Sequence, residues 1–130
     1  MQTTPPTVPP GEIVIRDTAM PSDTNANGDI FGGWLMSRMD LGGAMLARKL
    51  SRSRVTTVAV DAIAFRSPVK VGEIITCYAH VVAVGRSSMK IRLEVRVEAF
   101  LDAPARCVTE GVFTYVAIDE AGRPHPVVRS

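Results

Sequence analysis

Residues 31–50 contain no proline and carry Trp34, Leu35, Met39, Leu41, Met45 and Leu46 with few polar interruptions. The run predicts a helix, the only long one in the chain. A helix apolar over most of its circumference is expected to be buried on more than one side. Gly32, Gly33, Gly42 and Gly43 weaken it locally but let another backbone approach closely. Beyond this helix the hydrophobic period changes to two. Residues 55–65, 73–84, 87–100 and 106–118 read as four successive strands. In the third, Met89, Ile91, Leu93, Val95 and Val97 share one face, and Lys90, Arg92, Glu94, Arg96 and Glu98 share the other. The alternating signs from Arg92 to Glu98 predict a solvated outer face on an antiparallel sheet. Gly85-Arg86 and residues 102–104 punctuate the strands as turns.

Upstream of the helix, residues 12–16 (EIVIR) predict a first strand, and residues 20–30 (MPSDTNANGDI) are turn chemistry. Residues 1–11, with Pro5, Pro6, Pro9 and Pro10, predict a flexible arm. Residues 120–130, with Gly122, Pro124 and Pro126, predict an irregular tail, which leaves residues 12–119 as the folded domain. A strand, one buried helix and an antiparallel run define the α+β class, with the helix on one face of a curved sheet. One helix cannot cover such a sheet alone, so an oligomer is expected.

Composition removes several functions. A formal charge of +2, carried by scattered basic residues with no aromatic-rich basic stretch, argues against a nucleic-acid partner. Cys77 and Cys107 each sit within an apolar run and read as buried thiols, not as a disulfide or a zinc site. Residues 1–11 carry neither positive charge nor an apolar block, so no secretory signal is expected. No stretch approaches the ~18 apolar residues of a membrane span, and a cytoplasmic location is expected.

The candidates for chemistry are few. His80 falls in a strand and His125 in the tail, so neither is placed as the base of a nucleophilic triad or as a metal ligand. Gly28, Gly32 and Gly33 have no following Gly-Lys-Ser/Thr, which excludes a nucleoside-triphosphate loop. Asp40 is the anomaly, a carboxylate between Met39 and Leu41 in the most apolar helix. Such a group is costly unless it is paired, hydrated or used. Pairing with Arg38 or Arg48, or a solvent-facing stripe, would account for it without catalysis. At the helix start, the N–H groups of Gly32 and Gly33 are expected among the unpaired donors, where the dipole favours negative charge. These are the elements of an oxyanion site. An ordinary junction capped by Asp29 is the other reading. Asn25 could hold a water or merely stabilise its turn. Arg48, Lys49, Arg52 and Arg54 surround the helix C-terminus, where the dipole alone attracts cations and where ligand phosphates could also bind.

The run Asp23-Thr24-Asn25-Ala26-Asn27-Gly28-Asp29-Ile30-Phe31-Gly32-Gly33-Trp34, followed by Met39-Asp40-Leu41-Gly42-Gly43-Ala44, resembles the motif of hotdog-fold acyl-CoA thioester hydrolases of the small bacterial cytosolic type. Phe65-Arg66-Ser67-Pro68-Val69 with Val71-Gly72, and Gly85-Arg86-Ser87-Ser88-Met89, continue the likeness in order. The resemblance implies a five-stranded antiparallel sheet wrapped around one long central helix, in dimers that form a trimer of dimers. It implies Asp40 as the catalytic acid, Asn25 as the asparagine that assists it, and Gly33 as the donor to the thioester carbonyl, with Gly32 beside it. Arg54, Arg86, Ser87 and Ser88 would contact coenzyme A. No cofactor is implied beyond the coenzyme A carried by the substrate. Many relatives have His-Gly-Gly where this chain has Phe31-Gly32-Gly33, which leaves the carbonyl grip to the backbone.

Hydrolysis is then expected through Gly33 N–H stabilising the oxyanion while Asp40 activates a water positioned by Asn25. Direct attack by Asp40 through a mixed anhydride is the mechanistic rival. A hotdog dehydratase or hydratase generally pairs histidine with a carboxylate, and residues 25–40 contain no histidine. A non-catalytic acyl-CoA-binding regulator could lose the acid, which this chain keeps.

Overall fold

The computed structural model describes residues 11–127. The expected arm, apart from Gly11, and the last three residues of the tail lie outside the described residues. Strand β1 (Glu12–Thr18) leads through a 3-10 turn (Pro21–Asp23) into helix α1 (Gly32–Ser51). There follow β2 (Arg54–Phe65), β3 (Ile74–Val84), β4 (Ser88–Val97) and β5 (Arg106–Ile118). All five strands pair antiparallel in one sheet of order β1-β3-β4-β5-β2, so β1 and β2 are its edges. No helix among the described residues is long and apolar enough to cross a membrane.

The elements form where the periodicity places them, and β4 is shorter than the expected 87–100. Phe100 N–H bonds back to Ala103 O at 2.9 Å, closing the hairpin tip before the ladder can continue. The tail is less irregular than expected. His125 N–H bonds Ala117 O and Val127 N–H bonds Arg86 O, each at 2.8 Å, and Val127 is buried.

The core lies between α1 and one face of the sheet. Met89, Ile91, Leu93, Val95 and Val97 of β4 are at most 1% exposed and meet Leu35, Met39 and Ala47 of the helix. In this chain the helix is buried on one side only. Phe31, Leu41 and Met45 remain 51%, 45% and 44% exposed. Gly42 and Gly43, two of the four glycines expected to admit another backbone, face the sheet. A Cβ on Gly42 would lie 2.6 Å from Val14 Cγ2, and one on Gly43 would lie 2.2 Å from the Tyr115 hydroxyl oxygen. The helix ends with Arg52 in the left-handed region, φ 55°, its N–H on Arg48 O at 2.8 Å.

The outer face of β4 departs from the solvated ladder the alternation predicts. Glu94 is 6% exposed and is held by both Arg92 and Arg96. Arg96 in turn lies 5.4 Å from the Tyr78 ring. Glu110 of β5 joins through Arg92 and Arg66, each at 2.9 Å. Long side chains from neighbouring strands therefore cover one another. Cys107, expected to be buried, sits half-buried at the rim of this network.

A second pair fixes the loop before β3. Arg106 donates to both carboxylate oxygens of Glu73, at 2.8 and 2.9 Å, and to Ser67 Oγ and Pro68 O. The Arg106 hydrogen bonds hold the Glu73 carboxyl below its ordinary 4.5, as Arg66 and then Arg92 do for Glu110. Depressed carboxylates stabilise the fold above the unfolded value and lose that contribution as pH falls through the folded one. Melting temperature should therefore hold steady above about pH 5 and drop below about 4.5. Glu73→Gln should start lower and lose less on acidification, as a thermal melt at each pH would register. An equal acid loss in that variant would exclude Glu73 as a source.

Candidate active site

Asp40 sits in the middle of α1, half-buried, one residue after the fully buried Met39. Neither arginine considered as a partner reaches it. Arg38 turns instead to Asp17, at 3.4 Å, and lies over the Trp34 ring. The Asp40 carboxylate accepts a 2.6 Å hydrogen bond from the Thr57 hydroxyl of β2. The pairing with arginine therefore fails: the half-buried carboxylate is held by one neutral hydroxyl, and no cation among the described residues neutralises it. Thr57 is a site residue that sequence reasoning missed.

Asp40 and Thr57 line a cavity of about 220 Å³ with Gly33, Met36, Ser37, Val60 and Phe113. Met36, Val60 and Phe113 make its lining apolar, and Asp40, Thr57 and Ser37 add polar groups. Gly33 lines it too, with nothing within 4 Å of where its Cβ would lie. The helix start has no side-chain cap: the N-cap residue is Phe31, and Asp29 is drawn away to Lys70. The capped-junction reading is therefore corrected. Phe31 O accepts from Trp34 and Leu35, while no acceptor among the described residues meets Gly32 or Gly33 N–H. Unpaired donors at the positive end of a twenty-residue helix are suited to developing negative charge.

Asn25 takes a separate place. Its side-chain oxygen accepts from Asn27 N–H at 2.9 Å and Asp29 N–H at 3.2 Å, which spends that atom on the turn. The NH₂ end of the carboxamide donates to nothing among the described residues. Asn25 and Gly32 line a cavity of about 290 Å³ with Asp29, Ile30, Phe65 and Arg66, among others, and Asp40 is not part of it. The two cavities share no lining residue. Arg54 lies elsewhere, in a cavity of about 560 Å³ at the helix C-terminus with Arg48, Lys49 and Arg52. Its guanidinium is braced by Asp119 O and Glu120 O at 2.9 and 3.0 Å. Arg86, Ser87 and Ser88 form the β3–β4 turn, closed by Gly85 N–H on Ser88 O at 2.8 Å, and line none of these cavities. One chain thus brings Asp40 and Gly33 onto one cavity but leaves Asn25 and the residues expected to contact coenzyme A apart.

Other nucleophiles and metal ligands are poorly placed. Burial pushes the Cys77 thiol up to about 12 and the Cys107 thiol to about 11, so neither is ionised near neutrality. Glu94, Cys107 and Glu110 converge within 4.8 Å. Their carboxylates are already engaged by Arg66, Arg92 and Arg96, whose charges oppose a cation. Neither histidine lines the Asp40 cavity.

One long helix laid on a single five-stranded antiparallel sheet is the hotdog arrangement. Residues 27–99 match the thioesterase superfamily, and the chain belongs to that family. It is 50% identical over 120 residues to the acyl-CoA thioester hydrolase YciA of Escherichia coli (strain K12), covering 90% of this chain and 91% of that protein. The hexameric thioesterase y2039 from Yersinia pestis aligns with a TM-score of 0.90 at 50% identity, covering 95% of this chain and 100% of that one. The acyl-CoA hydrolase from Staphylococcus aureus, solved with butyryl coenzyme A and coenzyme A, aligns with a TM-score of 0.80 at 31% identity over 87% of this chain and 69% of that one. Its asparagine-to-alanine and aspartate-to-alanine variants have also been solved.

Proposed function

We propose that this chain hydrolyses acyl-CoA thioesters to a carboxylic acid and coenzyme A, with Asp40 as the general base or nucleophile. The observation that carries the reading is the Asp40 carboxylate, un-neutralised among the described residues and oriented by Thr57 on a cavity beside Met36, Val60 and Phe113. Gly33 N–H, at the positive end of α1, stabilises the oxyanion as the thioester carbonyl is attacked. Asn25, whose NH₂ is the free end of its side chain, positions the water. Thiolate is a good leaving group, so no strong general acid is needed. The paired variants of the Staphylococcus aureus enzyme support the roles of Asn25 and Asp40, because their asparagine and aspartate are fifteen residues apart, as these are.

The site is shared between two chains. Gly33 and Asp40 are seven residues apart, so about 10 Å separates their backbones along the axis. A donor and a base acting on one carbonyl must both lie within a few ångströms of it. Two helices packed antiparallel across a two-fold axis bring the Asn25–Gly33 segment of one chain beside Asp40 of the other. The exposed stripe of Phe31, Leu41 and Met45 supports such packing, and Gly42 and Gly43 take no part in it. The assembly is a trimer of dimers, as the hexameric state of the Yersinia pestis thioesterase supports. Arg54, Arg86, Ser87 and Ser88 serve the coenzyme A arm and its phosphates, which need cations.

Thr57→Val tests the arrangement. Loss of a hydrogen bond to a charged group should lower kcat about tenfold or more, with KM little changed. A variant with wild-type kcat would mean that the Thr57–Asp40 contact has no part in turnover.

A further inference from the structure

Tyr115 is the largest fully buried side chain among the described residues, in the C-terminal half of β5. The phenol donates a 2.8 Å hydrogen bond to the backbone carbonyl of Asp40 itself. A carbonyl has two lone pairs, so it accepts this bond without giving up its place in the helix ladder. The phenol reaches the helix because residue 43 is glycine, where any Cβ would lie 2.2 Å from the hydroxyl oxygen and 2.9 Å from the ring carbon that bears it. Tyr115 is also the direct antiparallel partner of Thr57. Two neighbouring residues of adjacent strands therefore grip the same helical residue, one by its carboxylate and one by its main chain.

We propose that Tyr115 is a positioning residue for Asp40, fixing that turn of α1 to the sheet so that the carboxylate stays in register with Thr57 and the cavity. The Thr57 bond fixes the carboxylate but not the main chain that carries it. The phenol holds that main chain at the residue where it matters. Its ring stacks on Phe113, with centroids 6.4 Å apart, and Phe113 lines the Asp40 cavity, so the anchor and the cavity wall move together. Burial first, then the nearby Asp40 charge, pushes the phenol well above its ordinary value, so it stays a donor across the working pH range.

The inference rests on the hydrolase reading above, and its test separates the two. Tyr115→Phe and Thr57→Val are made singly and together, and kcat, KM, coenzyme A affinity and oligomeric mass are measured. Tyr115→Phe should assemble normally, keep coenzyme A affinity and KM within about twofold, and lose about tenfold in kcat. The double variant should lose less than the product of the single losses, because both contacts place one group. A kcat equal to wild type overturns the proposal, as does strict multiplication of the two effects, or a kcat loss matched by an equal loss of coenzyme A affinity. A wild-type chain that releases no thiol defeats the hydrolase reading instead.

Discussion

Asp40→Asn should reduce thioester hydrolysis by about 10²–10⁴-fold while leaving the fold and coenzyme A binding intact. The substitution keeps shape and volume, and the new side-chain oxygen still accepts from the Thr57 hydroxyl that now meets Asp40 Oδ1 at 2.6 Å. What it removes is the negative charge, and with it the capacity to take a proton from water or to attack a carbonyl. Because no cation among the described residues neutralises Asp40, no buried charged partner is stranded by the change, and stability should move little. Steady-state thiol release, with coenzyme A affinity measured on the same sample, separates chemistry from binding. Near-normal turnover in the variant would remove Asp40 from the mechanism.

The second large effect is a gain. Asn25→Ala and Asp40→Asn should each be inactive alone, yet a mixture unfolded and refolded together should recover about a quarter of wild-type activity. In a dimer whose sites combine Asn25 of one chain with Asp40 of the other, a mixed pair holds one doubly damaged site and one intact site. Equal mixing makes about half the dimers mixed, each with one good site of two. The separation of Asn25 and Asp40 onto different cavities of a single chain is the structural ground for expecting this. A refolded mixture as inactive as its parents would mean that each site is built within one chain.

Most of the fold was legible because two periodicities meet at one boundary. The proline-free run through Met39 and Met45 reads as a helix, and the alternation from Met89 to Val97 reads as a strand whatever lies around it. Asp40 was legible for a related reason, since a charge between Met39 and Leu41 breaks the pattern of its own helix. Thr57 was not. Thr56 and Thr57 are adjacent in a strand, on opposite faces, and the pairing register shifts directly after Thr57, between it and Ala59. Which threonine meets the helix depends on that register, which the local sequence does not encode. Glu94 illustrates the same limit. Alternation marked it as outward-facing, but its burial depends on Arg92, Arg96 and the Glu110 network brought in by another strand. The roles of Gly42 and Gly43 were likewise readable only as a need for space. That the space is filled by Val14 and Tyr115, not by a second helix, is a property of the packed sheet.

Thiol release by the wild-type protein across acyl-CoAs of increasing chain length tests the central claim most directly. The account predicts catalytic turnover, with free coenzyme A and the carboxylic acid appearing in equal amounts for at least some chain lengths. A protein that binds acyl-CoA at the same affinity but leaves every thioester intact would contradict it.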